Sequence, residues 1–592
     1  MITAGEPECT LSDNIFGDAL EIIDRSGAAE LIDAYYEEST LPGGRPPRGI
    51  EYTTRAVLVA LLGRIILCRP PTLRGAMATI ADFTPGQLTA VGMGGQDCSN
   101  AHRDSFAEYK RFHPWWIRRL APLDPGLGLP ARRVTNATHA AALAARTMAQ
   151  RADSHRAAER IRTVINRIVA GSVREDTPAG SRGDLVVDES IYDLAGPGQG
   201  LGSRPDKHRG AAYCGRYYVR DAKTGAISDP RSVDAIKKAA FGLGLTAVTR
   251  IGKPDALHGV APVIIGIDIH PPTSGSVDGL AVALEQAKRN GIDGRNGGRS
   301  RWPYLTIDMG YNPKKGFAEL MLQQCYSPVA RYPKHWNTTF ASTNPTGAPN
   351  GPQPGPVQAV GAFYCPAVQP LLRGHRTPAM RDLLATDGFR AHDDRLARIL
   401  PYLMGYNSRP FQTRSGYGRR KLGIVDDTVA KVKLVCPAAL GAVKCPLKPE
   451  SMVDGPVGVP LAAPDWDPSD RGCCANSSVT VTLTPDQLRM AQWDLVPGSW
   501  EHSIYFEAAR AFTEQRFSLL KSKNVTSIAE LKWGPRREPM IKLILALAVA
   551  AANRRSQLSH DPKRSRAESI DIRWRQLATD LGREPTRTPP RT

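Results

Sequence analysis

The chain lacks any apolar run long enough to cross a bilayer. Its two longest candidates, "IKLILALAVAAA" at 541–552 and "AVLVALLGRIILC" at 56–68, fall short of the roughly twenty residues that a span requires, and Arg64 interrupts the second. No membrane partner is therefore expected. The opening residues "MITAGEPECTLSDNIFGDAL" have neither the basic region nor the apolar core of a secretory signal, which points to a cytosolic protein. In that compartment the ten cysteines stay reduced unless they hold metal. No internal repeat is visible. Acidic residues are in deficit: 58 Asp and Glu stand against 77 Lys and Arg, a formal charge of +19. An excess of that size favours a polyanionic partner, nucleic acid first.

A chain of 592 residues is too long for one core and suggests roughly three or four structural units. Residues 14–41 and 51–84 read as amphipathic or buried helices around the breaker "PGGRPPRG". The run "AHRDSFAEYKRFHPWWIRRLAP" at 101–122 interleaves basic and aromatic residues, a mixture that suits either DNA contact or a core face. Residues 1–130 are thus a helical N-terminal region and candidate DNA-end binder, and 131–182 a helical connector. From 183 the texture becomes β-rich. Strands are expected at 183–190, 239–252, 261–270 and 301–312, with a helix over 276–291 after the third. A first core segment then runs over 183–318, an insertion with a cysteine cluster over 319–494, a second core segment over 495–555, and a basic, structureless tail over 556–592.

Three acidic residues occupy telling places in that order. Asp188 ends the first strand in "VVDES", Asp308 ends the fourth in "TIDMGY", and Glu514 lies in "ARAFTEQRFSLLK". Residues four and seven apart share a helix face, so Arg510, Glu514 and Lys521 in the pattern R-x3-E-x6-K point the same way. A charged trio on its own is an ordinary solvated face, and a strand ending in Asp is often a turn initiator. Asp268 in "VIIGIDIH" rivals Asp308, but a helix separates Asp308 from strand three, as the RNase H-like order requires.

Taken together these features resemble the DDE transposases of bacterial insertion sequences, in the group whose last acid lies in a Tyr-x2-Arg-x3-Glu-x6-Lys signature. Glu507 takes the place of that tyrosine, with Tyr505 two residues earlier. The resemblance covers roughly 183–318 and 495–555 and allows a large insertion between Asp308 and Glu514. It implies a multidomain α+β chain, a helical N-terminal region followed by an RNase H-like α/β core with a mixed sheet. Its implied activity is two-metal phosphoryl transfer, cleaving transposon ends and joining them to target DNA, in the bacterial cytoplasm at the nucleoid. Asp188, Asp308 and Glu514 would ligate two Mg²⁺ or Mn²⁺ ions, while Arg510, Lys521 and Tyr505 would contact DNA, with a homodimer assembled on the two ends. A domesticated DNA-binding protein without chemistry and a nuclease of the same fold are the alternatives.

Two further groups stand apart. Cys436, Cys445 and the adjacent Cys473 and Cys474, with Cys365 nearby, are a candidate structural zinc site, although their spacing is not CxxC. His335, Trp336, Trp493 and Trp500 are either core residues or stacking partners for a flipped base.

Overall fold

The computed structural model describes the chain apart from residues 1–8, 41–48, 99, 131, 177, 196–203, 211, 222–235, 274, 296–301, 309, 312–313, 333–338, 342–354, 415–427, 454–457, 533, 562–569 and 592. It is a mixed α/β structure. The N-terminal region is helical, with α1 Asp13–Ser26, α2 Ala28–Ser39, α3 Thr54–Ile66, α4 Ser105–Leu120 and the connector helix α5 Met148–Gly171. Gly27, at φ 59°, ends α1 and turns the chain directly into α2, a left-handed conformation that costs glycine little. The apolar run in α3 is buried on nearly every side. Arg64, which breaks that run, is itself buried: its Nε donates to Pro70 O at 2.9 Å and its Nη1 to Thr79 Oγ1 at 3.2 Å.

The mixed sheet begins with β1 Leu185–Asp193, then β2 Arg216–Asp221, β3 Ile236–Arg250 and β4 Val263–His270. The helix α6 Ser276–Arg289 leads into β5 Tyr304–Ile307, and the short helix α7 Phe317–Gln323 into β6 Ser327–Val329. β2 pairs with the first part of β3 and β4 with its second part. Through that second part the strands run β4-β3-β1-β5-β6, with β3 antiparallel to both β1 and β4, and β5 and β6 parallel to β1. Parallel neighbours need a crossover, and the segment containing α6 supplies it. All four expected strands and the expected helix are present; β2 and β6 are additional.

Alternation along the strands gives the sheet two apolar faces. Leu185, Val187, Val248, Leu305 and Ile307 pack with Leu280 and Ala283 of α6 on one. Val186 and Tyr304 on the other meet Tyr505, Phe506, Ala509 and Phe512. Gly266 permits the first packing to be close, because a Cβ there would lie 2.2 Å from Ala283 O.

The insertion follows. It holds a three-stranded sheet of β7 Thr339–Ala341, β8 Val357–Ala359 and β9 Ala362–Tyr364, and the helix α8 Phe389–Ile399. It also holds a four-stranded sheet of β10 Gly405–Tyr406, β11 Phe411–Arg414, β12 Thr428–Val435 and β13 Ser478–Leu483. The chain then returns through α9 Trp500–Lys521 and α10 Glu538–Leu558. α10 is apolar almost all round and sits against α3, α5 and β4, as a helix without a polar face must.

Among the described residues β4 pairs only with β3, so its other edge needs partners. Two buried asparagines supply them. Asn166 of α5 accepts from Ile267 N at 2.9 Å and donates to Ile267 O at 3.0 Å. Asn553 of α10 does the same for Ile264, at 2.8 and 2.7 Å.

The tail departs from expectation. Residues 570–581 form a helix, α11 Ile570–Leu581, whose Trp574, Leu577 and Leu581 join a buried cluster with Trp500 and Ile504 of α9. Beyond it Arg583 donates to Asp393 at 2.7 Å and Thr588 N to Glu501 at 2.9 Å. Tail composition is polar, but the three apolar residues at positions four and seven apart share one face and dock it. Among the described residues, no helix is long and apolar enough to cross a membrane.

Candidate active site

β1 and β5 run parallel, with Val187 opposite Ile307, so Asp188 and Asp308 each follow one member of that pair. Helix α9 lies across this end of the sheet and brings Arg510 to both. Arg510 Nη1 is 3.1 Å from Asp308 Oδ1, and its Nε is 3.7 Å from Glu514 Oε1. The Asp188 carboxylate accepts from Glu189 N at 2.7 Å.

Electrostatics at Asp188 follow from this placement. Its pKa is pushed up to about 6, first by burial, while the Glu189 N–H and the Arg510 cation oppose the rise and the charges of Asp308 and Glu189 add to it. Two neighbouring carboxylates are a favourable place for a cation.

The third carboxylate stands differently. The Glu514 side chain is 69 % exposed and stands beside Arg510, the cation that also faces Asp308. Among the described residues, no group of three or more His, Cys, Asp or Glu is assembled to hold a metal ion. The arrangement is therefore a chain of charges, Asp188 and Asp308, then Arg510, then Glu514. A hard divalent cation prefers carboxylate oxygens, so the aspartate pair fits one in its donor chemistry.

Other expected contacts are placed as follows. Lys521 donates to Ile191 O at 2.9 Å and lies 4.8 Å from the centre of the Tyr192 ring, which ties the end of α9 to β1. Tyr505 is 1 % exposed and packs edge-on against Tyr304 at 5.0 Å. It belongs to the core beneath the site, so it presents no hydroxyl to a DNA backbone. Glu507, in the signature's tyrosine position, pairs with Arg331 and accepts from Met380 N at 3.0 Å. Its role is to hold α9 against the insertion.

Asp268 is buried on β4 with Arg162 Nε 3.4 Å away; it serves the packing of α5. Trp493 and Trp500 are buried, the latter donating to Asp393 Oδ1 at 2.9 Å, so neither is available for base stacking. His335 and Trp336 lie outside the described residues. In α4, Phe112 and Trp116 face the core, with Trp116 Nε1 3.5 Å from Met540 Sδ, whereas Phe106, Lys110, Arg111 and Arg118 are exposed. Five of the six cysteines of the insertion, Cys365, Cys436, Cys445, Cys473 and Cys474, gather around one small cavity.

One neighbour of the site escaped the sequence reading. Glu189 points to the opposite face from Asp188, where it accepts from Thr273 N at 2.9 Å and from Ser276 Oγ at 2.6 Å. The N-cap of α6 is Gly275, which has no side chain to offer; the Glu189 carboxylate, held at the start of the helix through Thr273 N and Ser276 Oγ, complements its dipole. Thr273 holds φ 65° to make the contact, a strained setting for a β-branched residue. Lys314 Nζ closes the network on Ser276 Oγ at 2.6 Å. The signal was a second acid beside Asp188, in a strand that starts as an apolar run.

No protein-family model matches the chain, and neither does any curated protein or solved structure.

Proposed function

We propose that this protein is a DDE-type DNA transposase, built on an RNase H-like core, that cleaves the ends of a mobile element and joins the freed 3′ hydroxyl to target DNA. The observation that carries the reading is the pair of aspartates on adjacent parallel strands with a helix-borne Arg510 and Glu514 beside them. The strand order, three antiparallel strands followed by two parallel ones, and the charge of +19 support it.

On this reading Asp188 and Asp308, joined by Glu514, would hold two Mg²⁺ or Mn²⁺ ions, which supply charge stabilisation for in-line phosphoryl transfer. The chain's own residues do the rest. Arg510 offsets the charge of the carboxylates until DNA arrives, then offers its guanidinium to a phosphate, for which its planar fork is suited. Lys521 and Tyr505 set the position of α9, and through it the position of Arg510 and Glu514. Basic α4 offers exposed cations to the DNA backbone. Two copies would bring two ends together.

The test is excision and integration in cells of an element that carries the coding sequence with its own flanking DNA. Glu514→Gln, Asp188→Asn and Asp308→Asn should each abolish excision while the purified proteins still bind the flanking DNA. Excision by Glu514→Gln removes that residue from the site. Cut ends that are never joined would identify a nuclease.

A further inference from the structure

We propose that Cys365, Cys436, Cys445 and Cys474 bind one structural Zn²⁺ ion that fastens the two sheets of the insertion to each other. This inference is independent of the transposase reading.

Five cysteines from distant points of the chain, these four and Cys473, line a single cavity of about 10 Å³. Cys365 directly follows β9, Cys436 directly follows β12, Cys445 lies in the loop beyond, and Cys474 sits in the short helix Gly472–Ala475. A space that small is at the lower limit for one water, so it suits an ion held directly by sulfur.

The second observation is the backbone around the sulfurs. Cys436 and Cys445 each open a tight turn, with Ala439 N donating to Cys436 O at 3.0 Å and Lys448 N to Cys445 O at 2.9 Å. Trp466 Nε1 donates to Cys474 Sγ at 3.5 Å. An N–H donated to sulfur favours the thiolate form that a metal ion takes. Lys448 and Arg471 lie near Cys474 and offset negative charge. Cys474 is chosen over its neighbour because it is the one that receives the indole N–H.

Sulfur donors select soft or borderline ions, and four of them in a tetrahedral set are characteristic of structural zinc. Among the described residues, no set of cysteines stands at ligand distance around a common centre. Binding therefore rotates the four sulfurs inward and releases their protons to solvent, with no change of oxidation state. The insertion has small sheets of three and four strands, and the ion would join the strand ends of both.

Zinc content of the purified full chain, measured by mass spectrometry of the metal, tests this. One zinc per chain is expected, with X-ray absorption showing only sulfur at about 2.3 Å. Cys436→Ser and Cys445→Ser should lose the zinc, while Cys473→Ser and the remote Cys325→Ser should keep it. Wild-type protein expressed with zinc but carrying none, or zinc bound through nitrogen or oxygen, would overturn the proposal without reliance on any variant's folding. Loss of zinc from Cys473→Ser but not from Cys474→Ser would overturn the choice of fourth ligand.

Discussion

Arg510 Nη1 stands 3.1 Å from Asp308 Oδ1, and the same guanidinium lowers the proton affinity of Asp188. One cation thus offsets two carboxylates that would otherwise repel each other. Removing it should leave that repulsion uncompensated. In Arg510→Gln the pKa of Asp188 should rise above about 6, and the pH at which Mn²⁺ binding is half-maximal, followed by titration calorimetry, should move upward with it. An unmoved midpoint would mean that Arg510 does not act on this site.

Asp188 itself should be a source of instability at neutral pH. Its folded pKa, about 6, lies above the ordinary value of 3.8, so the folded state binds its proton more tightly than the unfolded state. That contribution is fully present below 3.8 and is lost as pH rises through about 6. Without divalent ions, Asp188→Asn should therefore match the wild type near pH 4 and exceed it above pH 7, by on the order of 2 kcal/mol. Urea unfolding at the two pH values checks this; a constant difference would contradict it.

A cation bound between the aspartates should reverse that penalty. Mg²⁺ or Mn²⁺ should raise the Tm of the wild type, since a ligand that binds only the folded state stabilises it by mass action. Asp188→Asn and Asp308→Asn should show no such rise. Thermal scans with and without the ion separate the cases.

Asn553 replaces a neighbouring strand. Its amide serves both polar groups of Ile264 and also donates to Ser172 Oγ at 2.9 Å. Asn553→Leu, of similar volume, leaves buried groups without partners and should cost roughly 2–4 kcal/mol. The urea midpoint should fall accordingly, with hydrogen exchange at Ile264 N rising first.

The C-terminal tail should prove structural. Ending the chain after Asp561 would remove α11 and uncover Trp500 and Ile504, and it would leave the buried Asp393 without its Arg583 partner. The milder Trp574→Ala, at a side chain 9 % exposed, should cost about 3 kcal/mol. Limited proteolysis should then open the segment around α8 and α9; unchanged resistance would show the tail to be dispensable.

Elements whose signal is local were legible in the amino-acid order alone. β1, β3, β4, β5 and α6 could be read because apolar runs and turn residues report backbone periodicity; the positions of Asp188 and Asp308 followed from those strands, and those of Arg510 and Glu514 from the spacing within α9. The excess of positive charge was equally plain. Direction and partnership belonged to the folded molecule, because they depend on what packs against each side chain. Arg64 reads as a break in an apolar run and is a buried hydrogen-bonding anchor; Tyr505 reads as a DNA contact and is core. The tail reads as polar, yet Trp574, Leu577 and Leu581 find apolar partners far upstream, in Trp500 and Ile504. Whether Glu514 meets the aspartates or an arginine is likewise a matter of side-chain electrostatics across two elements, which spacing along one helix does not encode.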